Sequence, residues 1–176
     1  MKTHLRTILL TTGIASLLCA APAGADTPPE PSKAAPAAST SARAMEKTSL
    51  TITDRQGHDH RFTVEIARTP KDRAAGLTHR ETVPEGTGML FLFNPPEAAE
   101  MWMRDTPVSL DMLFIGPDGR IQAIAEKTVP YSEARTGGQG RSSAVLELAG
   151  GSTEKAGIVV GDKVTSDALA PARHVQ

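Results

Sequence analysis

The chain has 176 residues, with 19 Lys and Arg against 20 Asp and Glu and a formal net charge of −1. That length suits one folded domain, and the balance of charge excludes the basic footprint that a nucleic-acid partner requires. No polybasic stretch is present to attract an anionic membrane surface.

The first 25 residues read as a cleavable secretory leader. Lys2 and Arg6 supply a positive start, Ile8 through Cys19 an apolar run, and Ala23-Gly24-Ala25 the small-x-small pattern that a signal peptidase cuts. The run is shorter than the roughly 20 apolar residues of a membrane-spanning helix. Cleavage is therefore preferred to an uncleaved anchor. Cys19 offers a lipoprotein alternative, but Leu18 before it is larger than the residue that processing favours, so export without a lipid is the preferred reading. Removal of the leader takes away the chain's single cysteine and two bases, which shifts the formal charge to −3. The expected compartment is periplasmic or secreted, with no thiol chemistry, no membrane association after cleavage, and a monomeric state.

Residues 26–44 are rich in Pro, Ala, Ser and Thr and cannot bury enough surface to offset their ordering entropy, which predicts a disordered tether. Residues 45–167 carry the folding signals, and residues 168–176 read as a frayed tail. Leu50 to Thr53 and Phe62 to Ile66 alternate on either side of Asp54-Arg55-Gln56-Gly57, which predicts a hairpin. Thr69-Pro70-Lys71-Asp72 has the cap, the first-turn proline and the acid of a helix start, and Gly76 ends that helix. Met89 to Phe93 is an apolar run of strand length, stopped by Asn94-Pro95-Pro96. Glu100 to Met103 is a further short strand. A second hairpin joins Leu110–Ile115 to Arg120–Ala125 through Gly116-Pro117-Asp118-Gly119. Residues 128–141 read as a long glycine-rich loop, Ala144–Leu148 as a strand, Ser152 to Gly157 as a second short helix, and the segment after Gly161-Asp162 as a last strand. Many short strands and two short helices predict a mainly β, single-domain barrel or sandwich with mixed edges.

Several of these stretches, in this order, resemble the family known as domain of unknown function number 192. They are Gly76-Leu77 with Arg80, Gly88 to Phe93, Met101 to Thr106, Leu110 to Ile115, Val145 to Gly151, and Gly161-Asp162. The resemblance implies a small β-rich domain, often exported, with no assigned activity or cofactor. The family usually has Asn where Asp105 stands, and often a Pro-Cys pair where this chain has Pro130-Tyr131. Any thiol role is thereby put in doubt for this member.

Among residues with chemistry to offer, Asp111 stands in a strand whose two faces are both apolar, so it is expected to be buried and to need a cation or several donors. Arg80 and Arg104 are the candidate partners. A structural ion pair or turn clamp is preferred for Asp111 over a binding or catalytic role. Glu147 poses the same question, and the two form an acid/base pair only if both point into one groove. Trp102 lies between two methionines that point to the opposite face. It serves either as a core plug or as a stacking platform at a cleft edge, with Arg104, Asp105 and Thr106 adding polar contacts from the loop that follows. Arg80, Trp102, Arg104, Asp105, Thr106 and Asp111 are the candidate ligand-binding residues, and Asp111 and Glu147 the weak catalytic candidates. Met89, Met101, Met103 and Met112 all fall in predicted strands. Thioethers suit Cu(I), but core filling is the preferred role. His58 and His60 read as solvated turn residues. No motif calls for a metal or a cofactor.

Three functions fit this pattern. The preferred one is a small binding or accessory module of the cell envelope, acting on an unidentified small molecule or envelope component. The second is a hydrolase that uses Asp111 and Glu147 on a saccharide-type substrate. The third is a protein–protein interaction module that docks through a strand edge.

Overall fold

A computed structural model describes residues 45–170; the leader, the predicted tether and positions 171–176 of the predicted tail lie outside the described residues. The alternating segments form strands β1 (Lys47–Thr53) and β2 (Asp59–Ala67), paired antiparallel as the expected hairpin, with Leu50 opposite Phe62. Helix α1 (Pro70–Ala75) follows. The Thr69 hydroxyl accepts from the Asp72 amide at 3.1 Å, and the Asp72 carboxylate accepts from the Thr69 amide at 3.2 Å, a reciprocal capping box. Gly76 closes the helix at a φ of 48°, where a side chain would be strained.

Strand β3 (Thr87–Glu97) carries the apolar run and pairs parallel to β2. Its near-continuous apolarity reflects burial on both faces. Asn94-Pro95-Pro96 does not end the strand, as the sequence suggests, but interrupts its pairing. The ladder to the later strand lapses after Leu92 and resumes at Glu97 opposite Ser142, because prolines have no amide to donate. Strand β4 (Glu100–Met101) is two residues long, shorter than expected, with Met103 outside it. Strands β5 (Leu110–Ile115) and β6 (Ile121–Ala125) form the second predicted hairpin. Within the predicted loop, β7 (Thr136–Gly137) pairs with β4, a contact too short to leave a periodic signal. Strand β8 (Ser142–Ala149), helix α2 (Ser152–Ala156) and strand β9 (Lys163–Thr165) complete the chain order. Residues Asp167–Leu169 make one 3₁₀ turn, and Ala168 and Leu169 pack on the core, so the folded part extends past the predicted boundary at residue 167.

The fold is mainly β, with two short helices. Seven strands in the order β6-β5-β8-β3-β2-β1-β9 make one sheet curled into a half-barrel. The curl brings its ends together: the Ile121 amide donates to the Asp162 carbonyl at 3.0 Å, and the Val164 amide to the Gly119 carbonyl at 2.8 Å. Two cores result. The inner one holds Leu50, Ile52, Val64, Leu90, Leu113, Ile115, Leu146, Leu148 and Val164. The outer one holds Met89, Phe91, Phe93, Met103, Leu110, Met112, Phe114 and Val145. Burying each such side chain contributes about 1.5–3 kcal/mol. Gly138 lies so close over Phe114 that an added Cβ would meet the ring at 2.8 Å, which lets the β4–β7 pair lie down on the outer core.

Candidate functional site

The sheet register sorts the predicted residues. Asp111 is opposite Leu148, and Met112 is opposite Glu147. Cross-strand partners share a face, and neighbours along a strand alternate. Asp111 therefore points to the inner side and Glu147 to the outer side. The anticipated acid/base pair does not form, because the sheet itself separates the two carboxyl groups.

Asp111 is fully buried and meets neither Arg80 nor Arg104. One oxygen accepts from the amides of Lys127 (2.8 Å) and Gly151 (2.9 Å), and the other from the amide (2.9 Å) and hydroxyl (2.7 Å) of Thr153. Residue 151 is the N-cap of α2 and, being glycine, makes no side-chain cap. Asp111 supplies that cap from a neighbouring strand. Burial pushes its carboxyl up, but the hydrogen bonds from Lys127, Thr153 and Gly151 outweigh it and hold the carboxyl below its ordinary value. This is the turn clamp of the preferred sequence reading, made with backbone donors in place of an arginine.

Arg80 instead grips Glu65 in a two-pronged pair, at 2.9 and 2.6 Å, in a separate cleft beside β2. Its hydrogen bonds pull the Glu65 carboxyl below its usual range.

The outer face holds a pocket of about 270 Å³. Leu77, Phe91, Phe93 and Met101 form its apolar walls, α1 contributes Pro70, Arg73 and Ala74, and Trp102, Arg104, Thr106 and Glu147 complete it together with Gly76, Thr78 and Glu100. Glu147 lies at the base, only 4% exposed, and its carboxyl makes no hydrogen bond or ion pair among the described residues. Burial alone raises its pKa from 4.5 to about 8, so at neutral pH it is mostly a protonated acid.

Trp102 stands at the rim, 39% exposed, and not in the core. Two guanidinium groups flank its ring, Arg135 at 4.3 Å and Arg104 at 5.7 Å from the centroid. The segment that carries it is anchored. The Met103 amide donates to the Ser132 carbonyl at 2.9 Å, the Tyr131 amide to the Thr106 carbonyl at 3.1 Å, and the His79 amide to the Asp105 carbonyl at 2.8 Å. Asp105 has a φ of 55°, a left-handed conformation that Asp and Asn tolerate best, which explains why a short amide or acid stands there. Its side chain is exposed and does not line the pocket.

Four of the predicted residues thus meet in one place: Trp102, Arg104, Thr106 and Glu147. Arg80, Asp105 and Asp111 lie elsewhere. Met89, Met103 and Met112 are core filling. Sequence reasoning missed Arg73, Leu77, Phe91, Phe93 and Met101. The Thr69-Pro70 helix start placed Arg73 on a helix, but nothing local says that this helix lies over the outer face of β3.

Solved structures share this architecture. A Sinorhizobium meliloti protein described as a candidate transcription regulator is 36% identical, with a TM-score of 0.70 over 72% of this chain and 98% of its own. A Novosphingobium aromaticivorans protein of unknown function is 40% identical, with a TM-score of 0.68 over 71% of this chain and 89% of its own. No functionally curated protein matches. The family model named DUF192, "Uncharacterized ACR", matches residues 51–166, from within β1 through β9, and so takes in the pocket and the Asp111 clamp, and the chain belongs to that family.

Proposed function

We propose that this protein is an exported binding module, periplasmic or secreted, that takes a small ligand into the pocket above Glu147. One observation carries the reading: a carboxyl group only 4% exposed, lining a largely apolar pocket, with no hydrogen-bond partner among the described residues. A ligand with the complementary group supplies the partner that the described residues do not. An apolar cavity with a few polar groups is the usual form of a small-molecule site. Trp102 at the rim supports stacking on a planar or apolar ligand. Export rests on the leader pattern of Lys2, Arg6, the apolar run and Ala23-Gly24-Ala25.

The regulator description of the Sinorhizobium protein is not carried over, because 19 bases against 20 acids leave this chain no basic footprint for nucleic acid. A hydrolase built on Asp111 and Glu147 has its two groups on opposite faces. Docking through a sheet edge is disfavoured by the bonds that join the strand ends at Gly119–Ile121 and Gly161–Val164.

A thermal-shift screen of envelope small molecules against the purified protein tests the reading. A ligand is expected to raise the melting temperature. Trp102→Ala is expected to weaken that ligand about tenfold. Ligands whose affinity is untouched by Trp102→Ala in a folded protein would remove this pocket from the account.

A further inference from the structure

The charges around the pocket narrow the chemistry of its ligand. At the base, the Glu147 carboxyl lacks a partner among the described residues. From α1, the half-buried Arg73 donates its guanidinium to the backbone carbonyls of Arg68 (2.9 Å) and Leu92 (3.1 Å) and lies 5.2 Å from the centroid of Phe93, with no acid paired to it among the described residues. Arg104, also lining the pocket, lies 5.7 Å from the centroid of the Trp102 ring and 3.4 Å from Glu133, and the Arg104 and Glu133 side chains are both more than half exposed. The remaining charged wall residue, Glu100, lies 3.7 Å from Arg135. In order of burial the charged lining residues are therefore an acid at 4% exposure, a half-buried Arg73 with no acid partner among the described residues, and an Arg104 more than half exposed.

The complement of that order is a molecule with a cation at one end, an apolar spacer, and an anion at the other. We propose that the pocket binds an ω-amino carboxylate, its ammonium against Glu147 and its carboxylate at Arg73 and Arg104. This rests on the binding-module reading above. A plain apolar acid leaves Glu147 without a partner. A plain amine passes the arginines with nothing to offset their repulsion. The volume admits roughly nine or more non-hydrogen atoms at the ~30 Å³ that each water takes in the liquid, the size of a short ω-amino acid. The raised Glu147 pKa adds a signature: an arriving ammonium favours the ionised carboxylate, so binding at neutral pH releases up to about one proton.

Calorimetric titration of the purified protein with ε-aminocaproate, caproate and n-hexylamine, repeated in buffers of different ionisation enthalpy, tests this. ε-Aminocaproate is expected to bind about tenfold more tightly than either single-headed probe, with proton release. Glu147→Gln is expected to abolish its advantage over caproate and the proton release. Arg104→Gln, and separately Arg73→Gln, is expected to reduce its advantage over n-hexylamine. Caproate binding as tightly as ε-aminocaproate, an unchanged affinity in Glu147→Gln, or no binding of ε-aminocaproate at about 1 mM would each overturn the proposal. The first of these, if still sensitive to Trp102→Ala, leaves the pocket standing as a binding site while removing the ammonium subsite. Failure of the pocket reading shows instead as ligands from the screen that ignore Trp102→Ala.

Discussion

Asp111 on β5 and Glu147 on β8 stand one register step apart in neighbouring strands, both buried, on opposite faces of the same sheet. Asp111 receives four hydrogen bonds and titrates below its ordinary value, whereas Glu147 receives none among the described residues and is raised to about 8. Burial pushes both carboxyl groups the same way. The difference lies in donors: the inner face brings the N-terminus of α2 to Asp111, while on the outer face none of the described pocket-lining groups donates to Glu147. A carboxylate satisfied by its own chain is a clamp. One held unsatisfied beside a cavity is a site available to something else.

The largest effect expected from breaking this contrast is at Glu147. Its folded pKa of about 8 exceeds the ordinary 4.5, so the folded state holds a proton that the unfolded state has released between those values. Stability from this group is complete below pH 4.5 and declines as pH rises toward 8. At 1.36 kcal/mol per pKa unit, the loss reaches roughly 4–5 kcal/mol. Glu147→Gln removes the slope, so denaturant titrations are expected to show the variant more stable at pH 8 and its advantage shrinking as pH falls. Asp111→Asn turns the other way. Its NH2 replaces one of the two acceptor oxygens and presents hydrogens either to the amides of Lys127 and Gly151 or to that of Thr153, and a loss of about 2–4 kcal/mol at neutral pH is expected from the same titrations. Because the Asp111 carboxyl is lowered, the difference is present above its ordinary pKa of 3.8 and fades as pH falls through the folded value. The smallest effect is at the rim. Arg135→Ala removes one cation from the Trp102 ring and is expected to cost about 0.5–1 kcal/mol, with an altered indole fluorescence as the readout.

Much of the fold was legible because its signals are local. The Thr69 capping box, the two hairpins around Gly57 and Gly119, and the alternation of β1 and β2 each declare themselves within ten residues or so. The β4–β7 pair did not, because two residues carry no period. The course of β3 through Asn94-Pro95-Pro96 did not either, since its partner Ser142 lies far along the chain. At the site, Trp102, Arg104, Thr106 and Glu147 were legible as unusual residues in β-type surroundings, but their meeting was not. The face that Glu147 occupies follows from the pairing of β5 with β8, a register set by contacts between strands about 35 residues apart. The same register is what denied Asp111 and Glu147 a common groove. The Arg80–Glu65 pair was not legible, because Glu65 reads as an ordinary exposed position in an alternating strand.

The most direct measurement is a carbon-13 NMR titration of the side-chain carboxyl groups, with Glu147 assigned by its loss in Glu147→Gln. Glu147 is expected to titrate near pH 8 while Asp111 stays ionised to below pH 3.8 in the same sample. A Glu147 midpoint at or below its ordinary 4.5 would mean that the carboxyl already has a partner or free access to water, and would contradict the reading of this pocket as an unfilled site.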